Sequence, residues 1–431
     1  MKNDNKVLLE RGIGQLGFSA IALNGVIGAG IFALPAVAAA RSGYFSPWLF
    51  LFCAVLIMTV VLCFSRASSF FDDTGGPIQY ADKAFGSFAG FQSGWLTYVG
   101  RLAALAANTK LMIIYAGWFW APLESGWIHQ LTVILIFALL AFINIVGVRK
   151  SMLLVYVFTI LKLAPLFLLV ILGVSHIQPE LLIQSGLPEI NSFGETVLLL
   201  LYAFVGFESA SVPAGEARNP RKDIAYALPI TVLIITVLYF LIQWISISTL
   251  PGLAESSTPL ADVAVVVMGP VGAVILTLGA VFSIGGNCSI SMMTAPRMTY
   301  AMANMGTMPA WFGKVNPRFH TPVNSILFYA VIAVLLALSG SFIWLAVVST
   351  LARLLTYILS IAALPILERK MPSTEGQFRL YGGYLIPVLG FVLCLWLVTY
   401  ASQTAWLTTI FFFLVGSVLY FITTKTAAKN S

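Results

Sequence analysis

Two apolar stretches of the chain carry glycine near mid-length. One reads Ala22-Leu23-Asn24-Gly25-Val26-Ile27-Gly28-Ala29-Gly30-Ile31-Phe32, the other Tyr202-Ala203-Phe204-Val205-Gly206-Phe207-Glu208-Ser209. Glycine lowers helix stability by about 1 kcal/mol relative to alanine. A helix that opens inside hydrocarbon exposes N–H and C=O groups, which is tolerated only where the backbone lines a cavity. The chemistry on offer is therefore binding by backbone. Free N–H groups at the start of a half-helix hold negative charge, and free carbonyls at the end of one hold positive charge. Four ionisable side chains, Arg101, Lys162, Glu208 and Arg353, also fall within apolar stretches. A charge at that depth is costly and points to function.

The elements that must position these groups are membrane helices. The chain is 59% hydrophobic and 9% charged, against about 25% charged in an ordinary soluble domain. That excludes a soluble globular protein. Apolar runs of about 20 residues, each enough to span the hydrocarbon core, recur at roughly 12–40, 45–66, 86–119, 127–147, 152–174, 193–214, 226–250, 268–300, 323–341, 342–367, 383–401 and 404–424. The first, third and eighth are long, so they tilt or run beyond the bilayer. This gives twelve spans in one integral membrane domain, an all-α membrane protein. No cleavable signal is expected, because the polar start leads straight into a full-length span.

The net charge of +7 does not imply nucleic acid, because its placement follows the membrane. With twelve spans, Lys2, Lys6, Arg11, Arg66, Lys83, Arg149, Lys150, Arg218, Arg221, Lys222, Arg297, Lys314, Arg318, Arg369, Lys370, Arg379, Lys425 and Lys429 share one side, and Arg41 alone takes the other. The positive-inside rule then puts both termini in the cytoplasm. Cys53, Cys63, Cys288 and Cys394 lie in or beside apolar runs with no C-x-x-C pair, and His129, His176 and His320 are scattered. They read as small buried hydrophobes and isolated imidazoles, and no metal site or cofactor is expected.

Interrupted spans in corresponding positions of two halves are the best sequence pointer to a transporter's binding site. Spans one and six, five apart, are the two that break. The expected architecture is an inverted 5+5 repeat, about 12–174 and 193–367, with two further helices over about 383–424. The cytoplasmic loops are the longer, charged ones, such as 65–85 with Asp72-Asp73-Thr74-Gly75-Gly76-Pro77 and 215–224 with Gly215-Glu216-Ala217-Arg218-Asn219-Pro220.

At these residues the chain resembles the amino acid–polyamine–organocation superfamily of permeases, with the LeuT-type fold. The marks are Gly28-Ala29-Gly30-Ile31-Phe32, Phe204-Val205-Gly206-Phe207-Glu208-Ser209, Gly215-Glu216-Ala217-Arg218-Asn219-Pro220, Pro296-Arg297 and Met308-Pro309, in order along nearly the whole chain. The resemblance implies an amino acid as substrate. The physics of the breaks agrees: Ala29 and Gly30 should donate to its carboxylate, and the carbonyls of Val26, Tyr202 and Val205 should accept from its ammonium. Ile27, Gly28 and Ala203 complete the expected backbone site. A glycine run also permits close helix packing, which is the simpler reading of Gly28 and Gly30 alone.

The resemblance to arginine/agmatine-type exchangers puts an aromatic gate at Tyr202, whereas an aromatic in lipid is the plain alternative. The span-eight position that carries another aromatic in that subgroup is Asn287 here, which speaks against an arginine substrate because a guanidinium would lose its stacking face. The resemblance to proton-coupled permeases implies that Lys162 takes the place of a coupling cation between spans one, five and eight. Burial disfavours the charged form of an amine, so a protonation cycle is feasible. A lysine that stays charged and braces span one, or one that snorkels, are the alternatives. Glu208 is expected to accept a proton or balance a cation. Arg101 shares a helical face with Thr97, Ala104 and Asn108. It either meets an acidic substrate side chain or ties loops and broken-helix carbonyls in place. Lys110 is expected to snorkel.

The function expected is secondary-active, proton-coupled uptake of small neutral L-amino acids by alternating access. The alternatives are an obligate exchanger with a permanently charged Lys162, or a carrier of acidic amino acids using Arg101. It is not an enzyme, since no nucleophile–base pair or phosphate loop stands out. The bilayer and a small-molecule substrate are its expected partners, with no nucleic acid and no obligate protein partner. The location is the cytoplasmic membrane of a bacterium.

Overall fold

The computed structural model describes residues 13–71, 75–146, 152–183, 186, 190–211, 214, 217–371 and 377–430. Lys2, Lys6, Arg11, Asp72, Asp73, Thr74, Arg149, Lys150, Gly215 and Glu216 lie outside the described residues. Across its described residues the chain has only helices as regular elements. In order it forms α1 (Gln15–Val26), α2 (Gly30–Ser42), α3 (Ser46–Ser68), α4 (Pro77–Phe85), α5 (Ser87–Gly117), α6 (Gly126–Val146), α7 (Met152–Gly173), α8 (Pro179–Ile183), α9 (Ile190–Leu200), α10 (Pro220–Thr249), α11 (Pro259–Asn304), α12 (Val323–Ser339), α13 (Phe342–Lys370), α14 (Leu385–Val398) and α15 (Gln403–Asn430). Seven helical stretches among the described residues are long and apolar enough to cross a membrane, and three shorter ones are also apolar.

Large apolar side chains stand on the outer surface of these helices. Leu135, Leu139 and Phe142 of α6, Ile160 and Ile171 of α7, and Phe411 and Leu414 of α15 are all exposed. Patches of that kind suit lipid rather than water. Inside, α5 packs along α11 and α13, α3 along α10, and α1 against α10 and α7. The four cysteines are buried and unpaired.

Three departures from the sequence reading have local causes. The loop over 65–85 contains a helix, α4, which starts at Pro77 after Gly76 (φ 52°) and ends at Gly86 (φ 92°). Its polar face hid it from a search for apolar runs. The eighth run begins earlier than expected, with α11 turning at Gly269 (φ 72°) ahead of Pro270. Lys110 is half-buried, and its head group ends on a protein carbonyl. Its ammonium donates to the Ala337 carbonyl at 2.9 Å, in the last turn of α12, where orphan carbonyls attract a cation.

One end of the bundle carries a cluster of basic contacts. Arg66 pairs with Glu368 at 3.0 Å and donates to the Phe378 carbonyl. Lys370 caps the Lys83 carbonyl at the end of α4. Arg218 N–H donates to the Ile13 carbonyl at 2.9 Å, closing a short parallel bridge between Ile13 and Ala217. Arg41 meets Glu195 at 3.7 Å elsewhere on the surface.

Candidate functional site

The backbone unwinds at both glycine-interrupted stretches. α1 ends at Val26, Ile27 turns extended (ψ 97°), and α2 restarts at Gly30. In the second stretch α9 ends at Leu200 and narrows to a 3-10 turn over Leu201–Ala203. A second 3-10 turn runs over Phe207–Ser211. Gly206 between them has φ 114°, a conformation that residues with a side chain rarely hold.

The two openings touch. A Cβ on Gly206 would lie 2.3 Å from the Gly25 carbonyl oxygen, and a Cβ on Gly25 would lie 2.5 Å from the Gly206 carbonyl oxygen. Gly30 approaches Ala203 as closely, with a Cβ there 2.6 Å from the Ala203 Cα. These glycines allow backbone to meet backbone.

The first opening is held by donors. The Lys162 ammonium, 1% exposed, donates to the Ile27 carbonyl at 2.8 Å and the Asn24 carbonyl at 3.3 Å. Asn287 Nδ2 donates to the carbonyls of Asn24 and Gly25 at 3.0 and 3.2 Å. Asn24 Nδ2 donates to Thr159 Oγ1 and to the Ala20 carbonyl. Thus α7 and α11 satisfy the carbonyls of Asn24, Gly25 and Ile27 at the first opening.

The second opening is held by an acceptor. The Glu208 carboxylate, 2% exposed, accepts the Gly206 N–H at 3.0 Å, the Tyr357 hydroxyl at 2.9 Å and Arg353 Nε at 3.0 Å. Arg353 also donates to Ser349 Oγ, which in turn donates to the Gly100 carbonyl. Arg101 donates to Ser209 Oγ and Thr294 Oγ1, both at 2.9 Å, while its Nε finds no acceptor among the described residues. The excess of cations at this depth is thereby met by one carboxylate, two carbonyl dipoles and three hydroxyls.

Between the openings lies a cavity of about 30 Å³, room for a water or two. Its walls include Gly25, Val26, Gly28, Ala29, Gly30 and Val205, with Ala104, Asn108, Tyr202, Asn287 and Arg353. Of the residues singled out from sequence, Ile27, Ala203, Arg101, Lys162 and Glu208 stand behind this wall. The Ile27 carbonyl faces Lys162, and Ala203 packs on Gly30. Asn108 and Arg353 do line it, and sequence reading gave neither a place in the site. Asn108 accepts the Tyr202 hydroxyl at 2.7 Å and the Ala29 N–H at 3.4 Å, and donates to Asn287 Oδ1 at 2.8 Å. The one signal for it was a polar residue seven positions from Arg101 on the same face. Tyr202 also meets Phe342 edge-on at 5.8 Å.

A cavity between two unwound helices, walled by peptide groups deep in an apolar bundle, defines a membrane carrier of small solutes. Residues 13–429 match the family model described as amino acid permease. The chain belongs to that family, within the amino acid–polyamine–organocation superfamily, and is a multi-pass membrane transporter rather than an enzyme. Curated relatives in Bacillus subtilis (strain 168) span nearly its whole length. A methylthioribose transporter is 25% identical over 96% of this chain and 93% of the relative. A serine/threonine exchanger is 26% identical over 88% of each. A branched-chain amino acid permease is 23% identical over 98% of this chain and 94% of the relative.

Proposed function

We propose that this protein is a secondary-active transporter that couples proton movement to uptake of small neutral L-amino acids by alternating access. The observation that carries this reading is the meeting of the two openings at Gly25 and Gly206. Val26, Ala29 and Val205 line one small cavity there, and the reading assigns the Ala29 N–H and the Val26 and Val205 carbonyls to the substrate. No side chain among the described residues bonds the carbonyls of Val26, Tyr202 or Val205. They suit an ammonium, and the start of α2 suits a carboxylate.

The charges favour a neutral side chain. Arg353, the cation in the cavity wall, is matched by Glu208, and Arg101 is engaged by Ser209 and Thr294 behind the wall. An acidic substrate would need one of these arginines to leave its partners. The serine/threonine and branched-chain specificities of two of the relatives fit the neutral reading.

In the cycle, substrate and the Lys162 proton load from outside, and Tyr202 closes over the ligand. One helix bundle then rocks against the other to open inward. The architecture proposed with this cycle is twelve crossings, five plus five inverted and two more, with both termini cytoplasmic. The cavity must widen for any amino acid to enter, and Tyr202, held by a single side-chain oxygen and the more distant Ala104 carbonyl, is the wall most able to move.

A second reading rests on Lys162 itself. An ammonium fixed on two carbonyls is also what a permanently charged brace would look like, and that would make an obligate exchanger. Purified protein in liposomes separates the two. The proton-coupled reading expects accumulation of labelled amino acid into unloaded vesicles under an inward proton gradient. Uptake that requires internal amino acid and ignores the gradient would select exchange. Failure to transport any of the twenty amino acids would overturn both.

A further inference from the structure

The donor that the first opening turns toward the cavity, the Ala29 N–H, already has an acceptor. Asn108 Oδ1 lies 3.4 Å away, long beside the usual 2.9–3.0 Å. The same oxygen takes the Tyr202 hydroxyl at 2.7 Å. At the other end of the amide, Nδ2 donates to Asn287 Oδ1 at 2.8 Å, and Asn287 Nδ2 donates to the Asn24 carbonyl at 3.0 Å. That carbonyl is one of the two that hold Lys162. A continuous path of hydrogen bonds therefore runs from Tyr202 through α5, α11 and α1 to Lys162 on α7. Every partner of the Asn108 amide belongs to the cavity wall, and each lies on a different segment of the chain.

We propose that the Asn108 carboxamide is a built-in stand-in for the substrate carboxylate, and that its displacement by the substrate links the occupied site to Lys162. This rests on the amino acid reading above. An arriving carboxylate competes for the Ala29 N–H and the Tyr202 hydroxyl. It wins because hydrogen bonds to an ionised acceptor are roughly twice as strong as neutral ones. The displaced amide shifts against Asn287, and Asn287 shifts on the Asn24 carbonyl that it shares with Lys162. Asn108 and Asn287 are positioning residues in this scheme, since neither carries charge or proton. Linkage makes the effect reciprocal: whatever factor substrate applies to the hold on Lys162, the state of Lys162 applies to substrate affinity.

A purely structural role for Asn108 gives a different pattern. Any loss of a buried, bonded amide would then weaken binding in the same direction. A stand-in ligand predicts opposite directions. Asn108→Ala removes the competitor, so KM falls, while kcat falls too because Tyr202 loses its closing partner. Asn108→Asp fixes a rival carboxylate beside the Ala29 N–H, so KM rises by about tenfold or more, equivalent to at least about 1.4 kcal/mol. That rise shrinks as pH is lowered and the new carboxyl is neutralised. Asn287→Ala cuts the path and also removes a donor from the first opening, so exchange slows, but gradient-driven accumulation falls by a clearly larger factor than exchange does. Asn108→Ser serves as the second small variant should Asn108→Ala fail to fold.

The experiment is uptake by reconstituted protein, with the twenty L-amino acids screened first on the wild type. If none is bound or carried, the amino acid reading fails and this inference falls with it. With the strongest binder as probe, opposite KM shifts in the alanine (or serine) and aspartate variants, and a pH-dependent KM in the aspartate variant alone, are expected. KM shifts of the same sign in both, or unchanged KM in both, overturn the stand-in role and leave amino acid transport intact.

Discussion

The two openings solve the same problem with opposite chemistry. At the first opening the carbonyls of Asn24, Gly25 and Ile27 are held by side-chain donors from α7 and α11. At the second opening it is the Gly206 N–H that is held, by the Glu208 carboxylate, which is itself clamped by Arg353 and Tyr357. An ammonium and a side-chain amide can let go of carbonyls at modest cost. A buried carboxylate paired with a guanidinium cannot lose its partner cheaply. The contrast assigns the first opening to responding and the second to staying put.

The largest expected effect breaks the rigid side. Glu208→Ala leaves Arg353 buried without its carboxylate and the Gly206 N–H without an acceptor. Losing one partner of a buried pair costs about 3–5 kcal/mol, so the thermal unfolding midpoint of detergent-purified protein should fall further than for any other single change here. A double Glu208→Gln, Arg353→Met variant should recover part of that loss, and if it does not, packing rather than charge governs this opening.

Next comes Gly206→Ala. It adds a left-handed strain and a Cβ at 2.3 Å from the Gly25 oxygen, so the two openings are forced apart and uptake should disappear. Gly28→Ala is its control. The nearest atom to a Cβ there is Asn287 Nδ2 at 3.4 Å, and a mild change in KM is expected from the same transport assay.

Lys162→Ala tests the responsive side. The carbonyls of Ile27 and Asn24 lose a donor, at about 1–3 kcal/mol for groups left unsatisfied, yet Asn287 still holds Asn24. The protein should insert and remain folded, and accumulation driven by a proton gradient should be sharply reduced. Unchanged accumulation would remove the lysine from the mechanism. The smallest effect is expected from Arg101→Ala, which frees two hydroxyls behind the cavity wall. Uptake of neutral amino acids should persist at a reduced rate. Glutamate should compete weakly with both proteins, whereas glutamate competition that vanishes in the variant would reinstate an acidic substrate.

What sequence could reveal was local. Glycine inside an apolar stretch, as at Gly28–Gly30 and Gly206, and a lone lysine or glutamate among leucines are visible without any knowledge of neighbours. What it could not reveal was partnership. Glu208 and Arg353 stand 145 positions apart, and Asn108 and Asn287 stand 179 apart. An asparagine in an apolar helix carries no mark of which groups it will join. Nor does a periodic pattern tell whether Arg101 faces the cavity or the layer behind it, a difference of one helical turn from Ala104. The amphipathic α4 escaped for a different reason, because a nine-residue helix flanked by glycines reads as a polar loop.

The central claim is that peptide groups at the two openings grip both poles of a zwitterion, and blocked ligands test it most directly. Thermal stabilisation of the purified protein should be compared for the best-binding L-amino acid, its N-acetyl derivative and its carboxamide. The account predicts that blocking either pole weakens binding by at least about tenfold, or ~1.4 kcal/mol, even though the side chain is unchanged. Equal stabilisation by all three compounds would contradict it.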